Sequence, residues 1–228
     1  NKVYRNKILS DPALDPKRLS GVIEWRLPSK AQPKPYKIGI GDVITLSTPM
    51  NESLIGTLNG ILASQNRRQG YTVQDNGSIS ITDIGRVIIG GLTLEEAEDA
   101  IYRQFVDVGI APSFSIEVAE FNSQKVSVTG NVISPGMISI ALQPLYLDQA
   151  IYSKGGIDTG DASYVIIRLY RKGSIYQMSG PELYNMNESN KILLEDGDRI
   201  VVDMTEEYEN VLGLRQEARA RLLAEIEL

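Results

Sequence analysis

A Gly-Asp pair stands directly before an apolar, β-prone run at two places in the chain, and this recurrence strongly constrains the fold. Gly41-Asp42 precedes residues 43–46 (VITL), and Gly197-Asp198 precedes residues 199–202 (RIVV). An Asp side chain accepts hydrogen bonds from nearby backbone amides, and Gly adopts backbone angles that other residues avoid. The recurrence therefore predicts two strands that each begin after a tight turn shaped by an aspartate.

Catalysis at these aspartates is the alternative, and the rest of the chain gives it little support. Gly39 and Gly41 imitate the start of a glycine-rich dinucleotide loop, but that fingerprint requires a third glycine at the position of Ile44. The chain contains no His and no Cys, which excludes thiol nucleophiles, cysteine zinc sites and His-dependent triads. We therefore expect no catalytic residue, no metal and no cofactor, and we interpret Asp42 and Asp198 as turn-forming residues.

The composition indicates a globular protein that does not bind nucleic acid. With 228 residues, of which 42% are hydrophobic, the chain is long enough for two domains. Its net charge of −6 opposes binding to phosphate backbones, and the basic pairs Arg67-Arg68 and Arg171-Lys172 are expected to be solvated surface.

Since no run of about 18 uncharged apolar residues occurs, no membrane span is predicted. The start at Asn1 is compatible with a removed targeting segment or a trimmed chain.

Residues 36–121 have the pattern of a β-rich unit with one helix. Asn76-Gly77 lies between β-prone residues 71–75 and 78–82, which predicts a hairpin with a two-residue type I′ turn. Thr93 and Glu96 form a capping box that opens a helix. Its first-turn carboxylates, Glu95 and Glu96, complement the helix dipole, and an acid/base pair is the alternative interpretation. The inner stripe of this helix is predicted to be Leu94, Ala97, Ile101 and Phe105.

Residues 122–203 have the pattern of a second β-rich unit with one helix. Ser134-Pro135-Gly136 is typical of a type II turn, with Pro at the second and Gly at the third position. A helix with the apolar residues Leu147, Ala150 and Ile151 is expected to end at Gly155-Gly156, with one of these glycines left-handed. Strands are predicted at 125–129, 164–170, 174–178 and 199–202. The fold class is therefore α+β, with a β-grasp-like count in this unit.

Four stretches of the sequence resemble, in order, the bacterial outer-membrane polysaccharide export (Wza-like) family. They are "YKIGIGDVITL", "DNGSISITDIGRVIIGGLTLEEAEDAI", "APSFSIEVAEFNSQKVSVTGNVISPGMISI" and "LDQAIYSKGGI". The resemblance implies a polysaccharide-export domain at 36–121 and one ligand-binding β-grasp domain of the SLBB type at 122–203. The positions within it that we expect to shape turns are Gly39, Gly41, Asp42, Asn76, Gly77, Gly85, Pro135, Gly136, Gly155, Gly156, Gly197 and Asp198.

The same resemblance implies a function without bond breaking. Members of the family form a homo-oligomeric ring at the periplasm and outer membrane of Gram-negative bacteria, and polysaccharide passes through it. The implied partners are the polysaccharide, the inner-membrane polysaccharide co-polymerase and, for the intact protein, the outer membrane. Two rival classes stay open. One is an enzyme with paired carboxylates chosen from Asp83, Glu117 and Glu120, and the other is an SLBB module that binds a small ligand, a saccharide or DNA.

The two ends of the chain are predicted to lie outside the β-rich body. Half of the ten prolines fall within residues 1–35, which favours an extended arm there. Residues 204–228 are helix-forming but rich in charge, with one apolar stripe. This helix is expected to pack on a neighbour or to lead into a further region, and the family resemblance offers a membrane-barrel wall as the alternative. The stripe consists of Leu214, Ala218, Leu222 and Ile226.

Tyrosines supply the remaining candidates for contact with sugar. Six of the eleven lie in the second unit, where an aromatic face is suited to stacking on a sugar ring. Tyr is also an ordinary strand residue that buries its ring and solvates its hydroxyl, so the sequence identifies no saccharide-contacting residue. The six are Tyr146, Tyr152, Tyr164, Tyr170, Tyr176 and Tyr184.

Overall fold

The computed structural model describes residues 26–47, 70–82, 84–110, 112–185, 191–205, 207–208, 211, 213–214 and 216–219. Helices and strands are both present, which confirms the predicted α+β class. The elements in chain order are β1 (Val43–Ser47), β2 (Tyr71–Thr72), β3 (Ser78–Ile81), β4 (Gly85–Ile88), α1 (Leu94–Asp107), β5 (Ser115–Glu120), β6 (Lys125–Gly130), β7 (Gly136–Ser139), α2 (Leu147–Ser153), β8 (Val165–Arg171), β9 (Ser174–Ser179), α3 (Gly180–Tyr184) and β10 (Arg199–Met204), with a 3-10 turn at Ala162–Tyr164.

The first unit is built from β1 to β5 and α1 around one hydrophobic core. A three-stranded sheet has the order β2-β1-β5, and β3 pairs with β4 beside it. The capping box of α1 is confirmed, since Thr93 Oγ1 accepts from Glu96 N at 3.3 Å and Glu96 Oε2 accepts from Thr93 N at 2.8 Å. Glu95 and Glu96 are exposed in the first turn. The predicted stripe faces the core, where Ala97, Ile101 and Phe105 are fully buried.

The turn at Asn76-Gly77 differs from its prediction. Gly77 N donates to Gln74 O at 2.9 Å, and Gln74 N donates to Ser78 O at 2.8 Å, which closes a loop of three residues. Gly77 has φ +76, but Asn76 does not have a positive φ. In the described part of the chain, Lys172 is the only residue other than glycine with a positive φ. The type I′ assignment is therefore wrong, because it requires positive φ at both central residues. Moreover, β2 pairs with β1 and β3 pairs with β4.

A type I′ turn does occur, between β8 and β9. Its central residues Lys172 and Gly173 have φ of 47° and 79°, and the flanking Arg171 and Ser174 pair directly. Two positive φ values give the turn the twist that matches antiparallel strands. Local sequence rules do not single out this hairpin, because Lys is a rare residue at a left-handed position.

The second unit contains β6 to β10, α2 and α3 around its own core. Its five-stranded sheet has the order β7-β6-β10-β8-β9, and β10 runs parallel to β6. The apolar face predicted for α2 is confirmed, since Leu147, Ala150 and Ile151 are buried. The helix ends as predicted, because Gly155 has φ +86 and Gly156 N donates to Ile151 O at 3.0 Å, the hydrogen bond of a Schellman motif. The β-grasp-like assignment stays a prediction.

The loop before β7 is not the predicted type II turn. Gly136 has φ 159° and pairs with Val128 as the first residue of β7, whereas the third position of a type II turn needs φ near about +80°. The loop is held instead by the end of α2, through the hydrogen bond from Ser134 N to Lys154 O at 2.9 Å. A long-range contact therefore replaces the local turn.

The first described residues lie against the second unit, and the last described residues follow its final strand, β10. Residues 26–35 are extended, and Arg26 O accepts from Gln177 N of β9 at 3.1 Å. Beyond β10, helical residues occur at 207–208, 211, 213–214 and 216–219, with Leu214 and Ala218 exposed. Residues 1–25, Leu222 and Ile226 lie outside the described residues. In the part of the chain that the structure describes, every helix is too short or too polar to cross a membrane.

Candidate functional site

The first Gly-Asp motif lies where the two units meet. The buried Asp42 carboxylate accepts hydrogen bonds from Tyr36 Oη at 2.6 Å, Gly39 N at 2.9 Å, Asn122 N at 2.8 Å, and Ser123 N and Oγ at 2.8 and 3.0 Å. Two of the donor residues precede β1, and the other two link β5 to β6. Asp42 therefore shapes its own turn and also fastens the connection between the units.

Packing at this junction leaves no room for a side chain at position 39. A Cβ added to Gly39 would lie 2.4 Å from the Cβ of Ser123. The Tyr36 ring meets Phe121 edge-on, with the ring centroids 5.2 Å apart. Gly39, which lies three residues before Asp42, is thus required by the close approach of the linking segment, and the sequence pattern alone does not reveal this contact.

The electrostatics of the Asp42 junction make it structural. Burial of the carboxylate acts to raise its pKa, but the hydrogen bonds from Tyr36 and the backbone amides outweigh burial and hold the pKa below its ordinary value. Burial, and then the hydrogen bond to Asp42, raise the pKa of Tyr36. At neutral pH the carboxylate is therefore ionised and fully engaged, which leaves it unsuited to accept a proton from a substrate.

The second Gly-Asp motif forms a buried ion pair. Arg171 Nε donates to Asp198 Oδ1 at 2.9 Å, Arg171 Nη2 donates to Asp198 Oδ2 at 2.5 Å, and Glu195 N donates to Asp198 Oδ2 at 2.8 Å. Arg171 also donates to Leu193 O at 2.7 Å. Gly197 N donates to Lys125 O at 3.0 Å, which joins the turn to the start of β6.

The expectation that Arg171 is solvated is wrong, because its side chain is only 9% exposed. The alternation of inward and outward residues along β8 indicates that Arg171 points inward. Val165, Ile167, Leu169 and Arg171 occupy every second position and all point inward. Lys172 is exposed as predicted, and Arg67-Arg68 lies outside the described residues.

A cleft of about 740 Å³ lies beside the Asp42 junction. One wall is the extended segment 31–37, and the other consists of residues 140–145 and 193–196. Lys172 Nζ lies 2.6 Å from Glu195 Oε2, and this hydrogen bond, together with the charge of Arg171, lowers the pKa of Glu195. The rim thus carries charges of both signs above largely apolar walls, which suits a neutral ligand better than a strongly charged one.

Two of the three carboxylates considered for an enzyme are described, and both lie at the surface. Glu117 and Glu120 are exposed on β5, and Glu120 Oε2 accepts from Asn122 Nδ2 at 3.1 Å. Asp83 lies outside the described residues. Within the described ranges, no group of three or more His, Cys, Asp or Glu side chains could hold a metal ion. The other predicted turn positions make no hydrogen bond with Asp42 in the described part of the chain, and they are Asn76, Gly77, Gly85, Pro135, Gly136, Gly155 and Gly156.

Comparison with known proteins agrees with the order of the two units. Residues 30–119 match the family described as polysaccharide biosynthesis/export protein, and residues 124–202 match the SLBB domain. The chain is 30% identical over 191 residues to the EPS I polysaccharide export outer membrane protein EpsA of Ralstonia nicotianae, and 31% identical over 190 residues to the protein of the same name from Ralstonia solanacearum.

These alignments cover 79% and 78% of the chain, which spans 50% of the length of each relative. The two family models match in the order that the four sequence stretches predicted. The chain therefore belongs to the family of bacterial outer-membrane polysaccharide export proteins, as an export domain followed by an SLBB domain.

Proposed function

We propose that this chain is the periplasmic part of an outer-membrane export channel in a Gram-negative bacterium, and that capsular or exopolysaccharide passes through a ring of its copies. The observation that carries the proposal is the succession of an export domain and an SLBB domain in this chain, together with its similarity to relatives named as polysaccharide export outer membrane proteins. Because the chain spans half of those relatives, the intact protein is expected to supply the contact with the outer membrane.

The described site supports passage of a polymer rather than a reaction. Asp42 and Asp198 are occupied by hydrogen bonds that hold the backbone together. The cleft beside Asp42 offers amide groups, apolar walls and charges of both signs. Surfaces of this kind contact sugar weakly, and weak contact allows a polymer to move on.

One copy of this chain is too small to surround a polymer, so several copies would have to enclose it as a ring. Identical subunits form a closed ring through head-to-tail contacts when the rotation per subunit divides a full turn. We infer that the export domain of one copy contacts the SLBB domain of the next. The Asp42 junction would fix the angle between the two domains within each copy. The inner-membrane polysaccharide co-polymerase is the proposed partner at the periplasmic end.

The test is deletion of the gene in its own bacterium, with complementation by the full-length protein. Deletion should abolish surface polysaccharide while lipid-linked repeat units are still made, and complementation should restore it. Cross-linking and mass measurement of the complementing protein in membranes should give a closed oligomer. A monomer that still supports export would exclude the ring. Unchanged surface polysaccharide after deletion would exclude the export function and favour a saccharide-binding SLBB module.

A further inference from the structure

The five-stranded sheet of the second unit has an inner face and an outer face. The helices α2 and α3 pack on the inner face, where Leu147, Ile151 and Leu183 share a core with the buried strand residues. Successive residues of a strand point to opposite faces, so the alternate strand residues form the outer sheet face. One row of paired residues crosses this face from β7 to β9, and it consists of Met137, Ser127, Arg199, Tyr170 and Ile175.

The outer sheet face has the composition of a protein interface. Met137 is 58% exposed, and the apolar residues beside it on this face are half-buried, namely Ile166, Tyr170, Ile175 and Val201. A sheet face that meets only water normally carries polar residues, whereas protein interfaces are enriched in aromatic residues, Met and Arg. The exposed Arg199 stacks over the ring of Tyr170 at 5.8 Å. These features together indicate a docking surface.

The outer sheet face also carries more positive than negative charge. Lys125, Arg168 and Arg199 occupy its outward positions, and Asp203 supplies the carboxylate. Arg168 is paired with Asp203, whereas the ion pairs of the described residues include neither Lys125 nor Arg199. In a chain of net charge −6, this face is therefore suited to an acidic partner.

Helix α1 of the first unit carries a complementary surface. Positions 95, 98, 102 and 106 are spaced by three or four residues, so they lie along one side of the helix. We call them the α1 stripe, and they are the exposed residues Glu95, Glu98, Tyr102 and Val106. The helix has 14 residues and is about 21 Å long, which is close to the width of five strands, about 19 Å.

We propose that the outer sheet face of one copy binds the α1 stripe of the next copy. The two carboxylates of the stripe would face Lys125 and Arg199, and its two apolar residues would cover those of the sheet. Because the two surfaces lie on different units, each copy offers one to either neighbour, as head-to-tail assembly requires. This inference rests on the proposed function, since it names the surfaces through which the copies of the ring would meet.

Photo-cross-linking tests the contact in the full-length protein, in the membranes of its own bacterium. Met137 is replaced by the photo-reactive amino acid benzoylphenylalanine, and irradiation should join two copies. Mass spectrometry of the product should locate the link within residues 95–106. The matched control has the same group in place of Tyr152, which is 49% exposed but lies on α2, at the inner side of the sheet. This control should give no link to α1.

The proposal is overturned if position 137 links to another protein, to polysaccharide or to a different segment of this chain, or if it gives no link. The first two results would identify the outer sheet face as the site of a different partner.

Charge reversal tests the complementarity of the two surfaces. K125E/R199E and E95K/E98K should each lower the yield of linked dimer about tenfold, because like charges then face each other. Co-expression of the two variants should restore the yield, since each copy then meets opposite charge on both sides. Glu117→Lys, at an exposed position on β5, is the control and should leave the yield unchanged. Folded variants that link as the wild type does, or no recovery on co-expression, would also overturn the proposal.

Melting curves of each variant separate a lost contact from lost folding, and complementation of the deletion strain separates this inference from the proposed function. Surface polysaccharide restored by the wild type, without a link from position 137 to α1, would reject these surfaces and keep the function. No restoration by the wild type would reject the function itself.

Discussion

The Asp42 carboxylate is buried at a junction, and its surroundings decide whether its charge stabilises the fold. A buried charge is unfavourable unless hydrogen bonds replace its water. Here five hydrogen bonds do so, three of them from backbone amides. Removing the carboxylate would leave those amides without an acceptor. Its contribution is therefore measurable as stability even though it performs no chemistry.

Replacing Asp42 by Ala should lower the free energy of unfolding by about 3 kcal/mol, because buried amides lose an acceptor and charged hydrogen bonds are lost. Tyr36→Phe removes one of the five bonds and should cost about 1 kcal/mol. Urea unfolding measures both. The control is Asp99→Ala, an exposed position on α1, which should stay within roughly 0.5 kcal/mol of the wild type. Equal midpoints for Asp42→Ala and Asp99→Ala would contradict this role.

The same contribution should depend on pH. The folded pKa of Asp42 lies below the ordinary value of 3.8, so the unfolded chain takes up the proton first as the pH falls. The stabilisation is therefore fully present above the unfolded pKa and is lost as the pH falls through the folded pKa. The stability difference between wild type and Asp42→Ala should be smaller at about pH 3 than at neutral pH. An equal stability difference between wild type and Asp42→Ala at both pH values would contradict this pH dependence.

At the level of elements, the contact between β6 and β10 depends on a residue without a side chain. Gly130 ends β6, pairs with Val202 of β10 and has φ +87. A Cβ at this position would lie 2.0 Å from the carbonyl oxygen of Val202. Asn131 N donates to that same oxygen at 2.8 Å. The parallel pair at the centre of the sheet therefore closes only around a glycine.

Gly130→Ala should destabilise the protein by roughly 3–5 kcal/mol, because steric overlap with backbone adds to the strain of a left-handed alanine. Gly85 provides the control. It has the same φ of +87, and an added Cβ would meet nothing within 4 Å. Gly85→Ala should therefore cost only about 1 kcal/mol, the strain alone. Thermal unfolding of both variants makes the comparison, and similar losses would show that overlap at Val202 is unimportant.

Local signals in the sequence predicted the elements better than their partners. The capping box and apolar stripe of α1 lie within one helix, and the structure confirms both predictions. Asn76-Gly77 did mark a turn, but pairing of β2 with β1 is decided by contacts distant in the chain. The junction at Asp42 is not predictable from the sequence for the same reason, because Asn122 and Ser123 lie 80 and 81 residues away. No spacing rule connects such positions.

At the level of the whole molecule, chain order and spatial order differ. Residues 26–35 come before the first unit in the sequence, yet Arg26 contacts β9 of the second unit and stacks over Tyr176 at 5.0 Å. Residues 31–37 then form one wall of the cleft before Tyr36 joins the Asp42 junction. The arm predicted from the prolines is, in its described part, a strap across the second unit.

The strap should stabilise the body. A fragment of residues 26–205 and one of residues 36–205 should both melt cooperatively without detergent, and the longer one should melt about 2–4 °C higher, which corresponds to about 1 kcal/mol. Scanning calorimetry measures the difference. Arg26→Ala in the longer fragment should remove part of the gain, because it loses the contact with Tyr176. Identical melting temperatures for the two fragments would mean that the strap adds no stability.

The Asp42 junction also sets an order of events during synthesis. Ribosomes add roughly 5–20 residues per second, so the 80 residues between Asp42 and Asn122 take about 4–16 s to appear. During that interval the nascent export domain carries an aspartate whose donors at Asn122 and Ser123 do not yet exist. Its first turn becomes complete only when translation has passed into the SLBB domain, so the earlier domain waits for the later one.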